Sequence, residues 1–334
     1  MSLRLLMVYA DARMPSSRIR ILQMVPWLRR LGVEATCLPY PRTLGARFTL
    51  RRQAACHDLV LLQKRLPVRA DTLLWRHLGR PLLFDFDDAI AFRQEPRAGS
   101  YLSPTRQRRF ARTVRLADGI IAGNRYLASL CGGAAKPVLI APSPVPYPVA
   151  TCSARPPNPV PILGWVGGGP NLDSLAALAV PLRRLAARHP FRLHVLSDQP
   201  FTCPGVEVVN LPWRLASQEE EIARFDIGLM PLAADNPWNA GKCSYKLLQY
   251  MAAGVASVAS PVGMNSEVID DGVNGLLATD EAAWERTLIR LLDDPSLRQR
   301  LGRAARQTVA RAYTYPAIAG QWLAFFASAF HLWP

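Results

Sequence analysis

Lysine is rare in this chain. Of 40 basic residues only four are lysine (Lys64, Lys136, Lys242 and Lys246), leaving 36 arginines, and two of the four fall within one loop-to-helix stretch. Leu247, Leu248, Met251 and Ala252 follow at helical spacing, which predicts a helix from about Lys242 to Ala253 with one buried face. Gly254 stands just past that run and ends it. Lysines four apart lie on nearly one helix face, and a helix N-terminus adds unpaired amides and the positive end of a dipole. The chemistry this fits is anion holding, with a diphosphate as the natural guest. Two solvated surface charges are the plainer reading, and the scarcity of lysine elsewhere weighs against it. Downstream, Val255 to Ala259 reads as a short buried strand. Pro261, Gly263 and Asn265 then make a loop before turns at Asp270-Asp271-Gly272 and Asn274-Gly275.

Three further groups could bear chemistry. Gly167-Gly168-Gly169 offers bare backbone to a phosphate or sugar, or is a plain flexible turn. Its spacing is not that of the dinucleotide fingerprint, and Pro170 follows at once. Asp85-Phe86-Asp87-Asp88 gathers three carboxylates at one strand end, and their mutual repulsion demands a metal, an arginine or a raised pKa. Asp85 or Asp88 capping the next segment is the plainer reading. Arg13, Arg18 and Arg20 sit at a strand-helix junction, where they bind a phosphate or form a solvated face. None of the five histidines sits in an evident motif, and neither G-x-S-x-G nor a Walker A pattern occurs.

These groups need a scaffold, and the chain provides two. Strands are expected at 3–9, 33–38, 58–62, 81–86, 119–122 and 138–141, with helices at 17–31 (kinked at Pro26), 69–78 and 103–116 between them. Such alternation means a parallel, doubly wound sheet. Residues 142–161 break the pattern with a proline-rich stretch that reads as a linker. The alternation restarts with strands at 162–166, 191–196, 206–210, 227–230 and 255–259. Helices are expected at 172–188, 218–224, 281–292 and 296–313. A last helix, about 316–332, is apolar on more than one face, which suits packing on the first domain, a dimer contact or a membrane.

The composition excludes little. Half of the 334 residues are hydrophobic, as in a globular α/β protein, and the net charge is +15. That charge suits anionic partners, but no basic tail, zinc-finger spacing or base-reading motif accompanies it, so no nucleic-acid partner is expected. Six widely spaced cysteines show no C-x-x-C pair, which fits a reducing cytoplasm. No stretch reaches the roughly 18 apolar residues of a membrane span. The expectation is a cytoplasmic protein, peripheral at most to the inner membrane face.

The stretch Gln249 to Ser260, QYMAAGVASVAS, resembles the donor-binding segment of family 4 glycosyltransferases of the GT-B fold, in which a Glu-x7-Glu motif leads into E-A-M-A-x-G-x-P-V-V-A-S. The likeness extends loosely over the whole chain and is densest from Trp238 to Gly275. It implies two Rossmann-like domains facing across a cleft: an acceptor domain (1–145, with the terminal helix 316–334 crossing back onto it), a linker (146–161) and a donor domain (162–315). It also implies transfer of a sugar from a nucleotide-diphosphate donor to a glycan or lipid-linked acceptor, retaining and without a metal or other cofactor. Lys242 and Lys246 would then neutralise the leaving diphosphate, with Asp87 and Asp88 on the acceptor side. Gln249 would hold the ribose, and Gly167, Gly168, Gly241, Gly263 and Asn265 would lie against the donor. Arg13 and Arg18 remain weaker candidates for a phosphate or the acceptor. The chain departs from the family at both motif glutamates, which are Gly241 and Gln249 here. A homologue that binds sugar nucleotide or glycan without transfer is therefore the alternative.

Overall fold

Runs of aliphatic residues buried on both faces form the strands of two parallel sheets, as expected where helices cover each side. The computed structural model describes residues 2–133, 136–148 and 158–333. Most of the predicted linker, residues 149–157, lies outside them. The described chain divides into two units. The first comprises Met1–Pro144, Asn236–Cys243 and Tyr315–Pro334, and the second Val145–Asp235 and Ser244–Thr314. The sequence reading placed Asn236–Cys243 in the donor domain; its side chains pack on the first unit instead.

The first unit holds β1 (Leu3–Tyr9), β2 (Val33–Pro39), β3 (Leu59–Gln63), β4 (Leu82–Phe86), β5 (Gly119–Ala122) and β6 (Val138–Ile140), in the order β2-β1-β3-β4-β5-β6. β3 and β4 are buried along their whole length. The strand order reverses between β1 and β3, which marks the carboxyl ends of these strands as a binding edge. Where one kinked helix is predicted after β1, the chain forms Pro15–Ser17, a π-helical turn Arg18–Leu22 and a helix Val25–Arg30 with Pro26 in its first turn. Proline is tolerated there, so the helix restarts rather than bends. A helix Leu44–Ala55 was missed. The terminal helix Tyr315–Phe330 belongs to this unit, where Tyr315 stacks on Trp27 and its hydroxyl bonds Gln23 at 2.7 Å.

The second unit holds β7 (Ile162–Val166), β8 (Arg192–Ser197), β9 (Val208–Pro212), β10 (Ile227–Met230), β11 (Ala256–Ala259) and the two-residue β12 (Leu276–Leu277). Their order is β12-β11-β10-β7-β8-β9, with the reversal between β7 and β10. The helix expected over 172–188 is broken into Leu172–Ala176 and Ala179–Ala186. The lysine-bearing helix runs Tyr245–Ala252.

Candidate functional site

In the second unit the site is built on a gap in the sheet. β7 and β10 pair only at Leu163 with Ile227 and Gly164 with Gly228. Beyond that they diverge, and the buried Tyr250 hydroxyl fills the space. It accepts from the Val166 amide at 3.0 Å and contacts the Leu229 carbonyl at 3.3 Å. This bridge fixes the helix Tyr245–Ala252 at the switch point, and it presents Lys246, one turn earlier, at the carboxyl end of β7. The Lys246 ammonium lies 4.2 Å from the centroid of the Trp165 ring, within cation–π range. A Cβ on Gly167 would collide with both groups. Glycine is required there because it seats the ammonium.

The glycine amides are more committed than the sequence suggests. Gly167 donates to the Leu196 carbonyl at 3.0 Å and Gly169 to the Asp198 carboxylate at 2.7 Å. Gly168 is exposed, with only Asp198 and Pro170 within reach of an added Cβ. Asn265 is fully buried: its amide nitrogen donates to the Ser260 carbonyl at 2.9 Å, and its oxygen accepts from the Ser244 hydroxyl at 2.7 Å. That side chain holds the loop together. Gly263, at φ +55°, turns the loop just before it. Gln249 is buried, its Nε2 has no hydrogen-bond partner, and it lines a cavity of about 10 Å³ with Glu219 and Ile222. Burial raises the Glu219 carboxyl. No sequence pattern marks Glu219, which sits in an ordinary acidic helix start.

In the first unit the three carboxylates at the end of β4 are neutralised by side chains. Asp85, fully buried, is gripped by the equally buried Arg20, whose Nε lies 3.1 and 3.0 Å from its two oxygens, with Nη2 closing a second arm. Arg20 also donates to the Ala141 carbonyl at 2.9 Å. Burial opposes charge on Arg20, but the Asp85 carboxylate more than offsets this and holds the guanidinium above its ordinary pKa. Burial pushes Asp85 up against the pull of Arg20; the two-armed contact makes the ionised pair the state that satisfies both. Arg20 is thus unavailable to a phosphate, whereas Arg13 is exposed beside Asp11 and Arg18 is half-buried.

Asp87 and Asp88 share Lys64, which ion-pairs with Asp87 at 3.2 Å and contacts Asp88 directly. Burial works against charge on Lys64, yet the two carboxylates raise its pKa. Burial also raises Asp88, with Lys64 pulling the other way. Lys64 occupies the left-handed backbone region at φ +53°, an uncommon state for a side-chain-bearing residue that clusters at functional sites. Sequence reasoning missed Lys64 and Arg20 as partners because the bonded residues lie 24 and 65 positions apart.

Lys242 precedes the helix and belongs to the first unit, whereas Lys246 belongs to the second. One helical face bearing both lysines is therefore not what forms. Ser244, left-handed at φ +50°, separates them. Asn124 donates to the carbonyls of Ala240 and Lys242, each at 3.1 Å, and the Cys243 thiol donates to the Asp87 carbonyl at 3.2 Å. Burial lowers the Lys242 pKa, partly offset by Asp88. A Cβ on Gly241 would lie 2.6 Å from the Ala89 Cβ and 2.7 Å from its amide nitrogen. A glutamate has no room there, which accounts for the departure from the Glu-x7-Glu pattern. Among the described residues no group of three or more His, Cys, Asp or Glu is arranged to hold a metal.

Residues 160–294 match the family described as Glycosyl transferases group 1. The chain is thus similar to group 1 glycosyltransferases over about two fifths of its length. An uncharacterized glycosyltransferase of Methanocaldococcus jannaschii is 35% identical over 80 residues, which is 23% of this chain and 20% of that protein. The match thus spans about a fifth of that relative's length. Solved structures cover nearly all of the chain. A Rickettsia africae glycosyltransferase aligns with a TM-score of 0.76 at 11% identity, covering 98% of this chain and 99% of its own. Anabaena HepE, in complex with UDP and glucose, gives 0.71 at 14% identity over 98% and 100%. Thermosynechococcus elongatus sucrose-phosphate synthase gives 0.73 at 14% over 98% and 99%. The fold is that of the GT-B glycosyltransferases, and the segment matched by the family takes in the second unit's sheet and the helix that bears Lys246.

Proposed function

We propose that this chain is a glycosyltransferase that moves a sugar from a nucleoside-diphosphate donor, held by the second unit, to an acceptor hydroxyl held by the first. The observation that carries this reading is Lys246, seated against Gly167 and Trp165 at the point where β7 and β10 part. Ligands of open α/β sheets bind at such a switch point. A fixed ammonium there neutralises charge developing on a leaving diphosphate without a metal or a protein nucleophile, and the likeness to family 4 enzymes adds that the transfer is retaining. Neutralisation of Asp85, Asp87 and Asp88 by Arg20 and Lys64 supports the metal-free reading. Lys242 adds positive charge, Asp87 and Asp88 face the acceptor, and the unbonded Gln249 amide takes the ribose. Gly168 and Gly263 lie along the donor.

UDP heads the list of donors because the HepE structure holds it. Thermal-shift titration with UDP, GDP, ADP and their sugars, with and without EDTA, tests the proposal. One nucleotide should stabilise the chain equally in both conditions, and Lys246→Ala should weaken it about tenfold or more, the worth of one charge-assisted contact. Absence of any shift, or an unchanged Lys246→Ala, would sink the assignment.

A second reading, binding without transfer, is favoured by Gly241 and Gln249 at the two glutamate positions. Nucleotide-sugar binding with neither transfer nor slow hydrolysis across a broad acceptor panel would select it. No helix among the described residues is long and apolar enough to cross a membrane. The helix Leu44–Ala55 exposes Leu44 and Phe48 beside Arg47, Arg51 and Arg52, which supports peripheral contact with an anionic bilayer such as the inner membrane face. Cosedimentation with anionic but not neutral vesicles, reduced by Phe48→Ser, checks it.

A further inference from the structure

The first unit carries a second cationic feature that the donor chemistry does not use. A cavity of about 390 Å³ opens beside Lys64, lined among others by Tyr40, Arg65, Asp71, Arg106 and Arg109. Its one lining carboxylate is already spent, since Asp71 accepts from the Tyr40 hydroxyl at 3.0 Å and pairs with Arg47. Arg65 is held by the Ala10 carbonyl at 3.2 Å and lies over the Tyr40 ring, and its buried Nε has no hydrogen-bond partner. Arg106 and Arg109, three apart on the helix Pro104–Leu116, share a face. Neither forms an ion pair or a side-chain hydrogen bond among the described residues. Their helix is started by the Ser103 hydroxyl, which accepts from the Arg106 amide at 3.5 Å.

The other arginine-rich cavity of this unit contrasts with it. That cavity, about 490 Å³, lies at the start of β4 around Leu82, the edge opposite Asp87 and Asp88, and its Arg80 and Arg112 are committed to the carbonyls of Ala55 and Pro67. Arg76 and Arg115 of that cavity form no ion pair or side-chain hydrogen bond among the described residues either, so position separates the two. The cavity with Arg65, Arg106 and Arg109 lies at the carboxyl end of the sheet, where Lys64 meets Asp87 and Asp88 and where ligands of open α/β sheets bind. Guanidinium forks match phosphate oxygens in geometry as well as charge.

We infer that the acceptor carries a phosphate group, bound in this cavity by Arg65, Arg106 and Arg109 so that its hydroxyl reaches Asp87 and Asp88. The inference rests on the transferase reading for the word acceptor, but the phosphate site stands or falls separately. To test it, UDP is added to saturation to occupy the donor site, and the full chain is then titrated with inorganic pyrophosphate. Two further arms use glucose 1-phosphate and neutral vesicles with or without phosphatidic acid. The wild type should bind phosphate beside UDP. Arg106→Ala/Arg109→Ala should weaken that binding by about tenfold or more while UDP affinity and Tm stay unchanged. Arg106→Lys/Arg109→Lys, which keeps charge but loses the fork, should fall between. Binding of the sugar phosphate alone marks a soluble acceptor, and binding of phosphatidic-acid vesicles a lipid-borne one. No phosphate binding in the presence of UDP, or equal binding by the double alanine variant, overturns the inference. Phosphate binding that the double variant abolishes in a chain with no affinity for UDP would keep the site and discard the donor assignment.

Discussion

The carboxyl edges of the two sheets handle charge in opposite ways. At the end of β4, Asp85, Asp87 and Asp88 are matched by the buried Arg20 and Lys64, so the edge is a closed network of paired ions. At the end of β7, a single ammonium rests on an aromatic face beside a glycine that has no side chain to crowd it. A closed network holds shape and resists a new ion, because any visitor must displace a paired one. The Lys246 ammonium is instead positioned by the face of a ring and a bare glycine at a strand end. The contrast assigns rigidity to the carboxylates of the first edge, leaving any anion there to Arg65, Arg106 and Arg109 beside them, and a lysine-centred anion site to the second.

The largest effect should come from opening the closed network. Arg20→Ala leaves Asp85 buried and unpaired, and loss of one partner of a buried pair costs about 3–5 kcal/mol. Urea unfolding followed by tryptophan fluorescence would show it. Arg20→Met/Asp85→Leu should recover much of the loss; failure to do so would mean that packing rather than charge dominates here.

On the open edge, Gly167→Ala places a methyl group where the Lys246 ammonium lies. UDP affinity should drop about tenfold, as for loss of one charge-assisted contact, and calorimetric titration reads it. An unaltered affinity would mean that Lys246 does not need this seat.

A subtler break is alkaline pH. The Lys64 pKa is raised in the folded chain, so the stability it contributes is complete below the ordinary lysine value of about 10.4. That stability is lost as pH rises through the higher folded value. The unfolding midpoint of the wild type should therefore fall at strongly alkaline pH more than that of Lys64→Met, with parallel behaviour from neutral pH to about 10. The smallest effect is expected at Arg13, whose side chain is 92% exposed beside Asp11. Arg13→Ala should change stability by no more than about 0.5 kcal/mol and leave UDP binding intact.

Much of the fold was legible because its strands are uninterrupted aliphatic runs, and parallel strands buried on both faces write themselves that way. The helix Leu44–Ala55 escaped because Leu44 and Phe48 point outward and leave no apolar stripe. β12 is two residues long, below any periodic signal. At the site, the rarity of lysine pointed to the right stretch, but the sequence could not show that it belongs to two units. That division turns on Ser244 in a left-handed conformation, which residue type alone does not announce, and on Cys243 and Gly241 finding partners at Asp87 and Ala89. The pairing of Arg20 with Asp85 spans 65 positions, beyond the reach of local pattern.

The division of the chain has a consequence for how it is made. The first unit takes its terminal helix from residues 315–330, and Tyr315 bonds Gln23 across 292 positions. During synthesis the first six strands emerge early, yet Trp27 lacks its stacking partner until Tyr315 has left the ribosome. Until then an apolar surface on the nascent first unit stays uncovered, and such surfaces invite association or a chaperone. A fragment ending at Pro144 would carry that same open face permanently. The helix Tyr315–Phe330 is, in effect, a late step in folding the first hundred and forty residues.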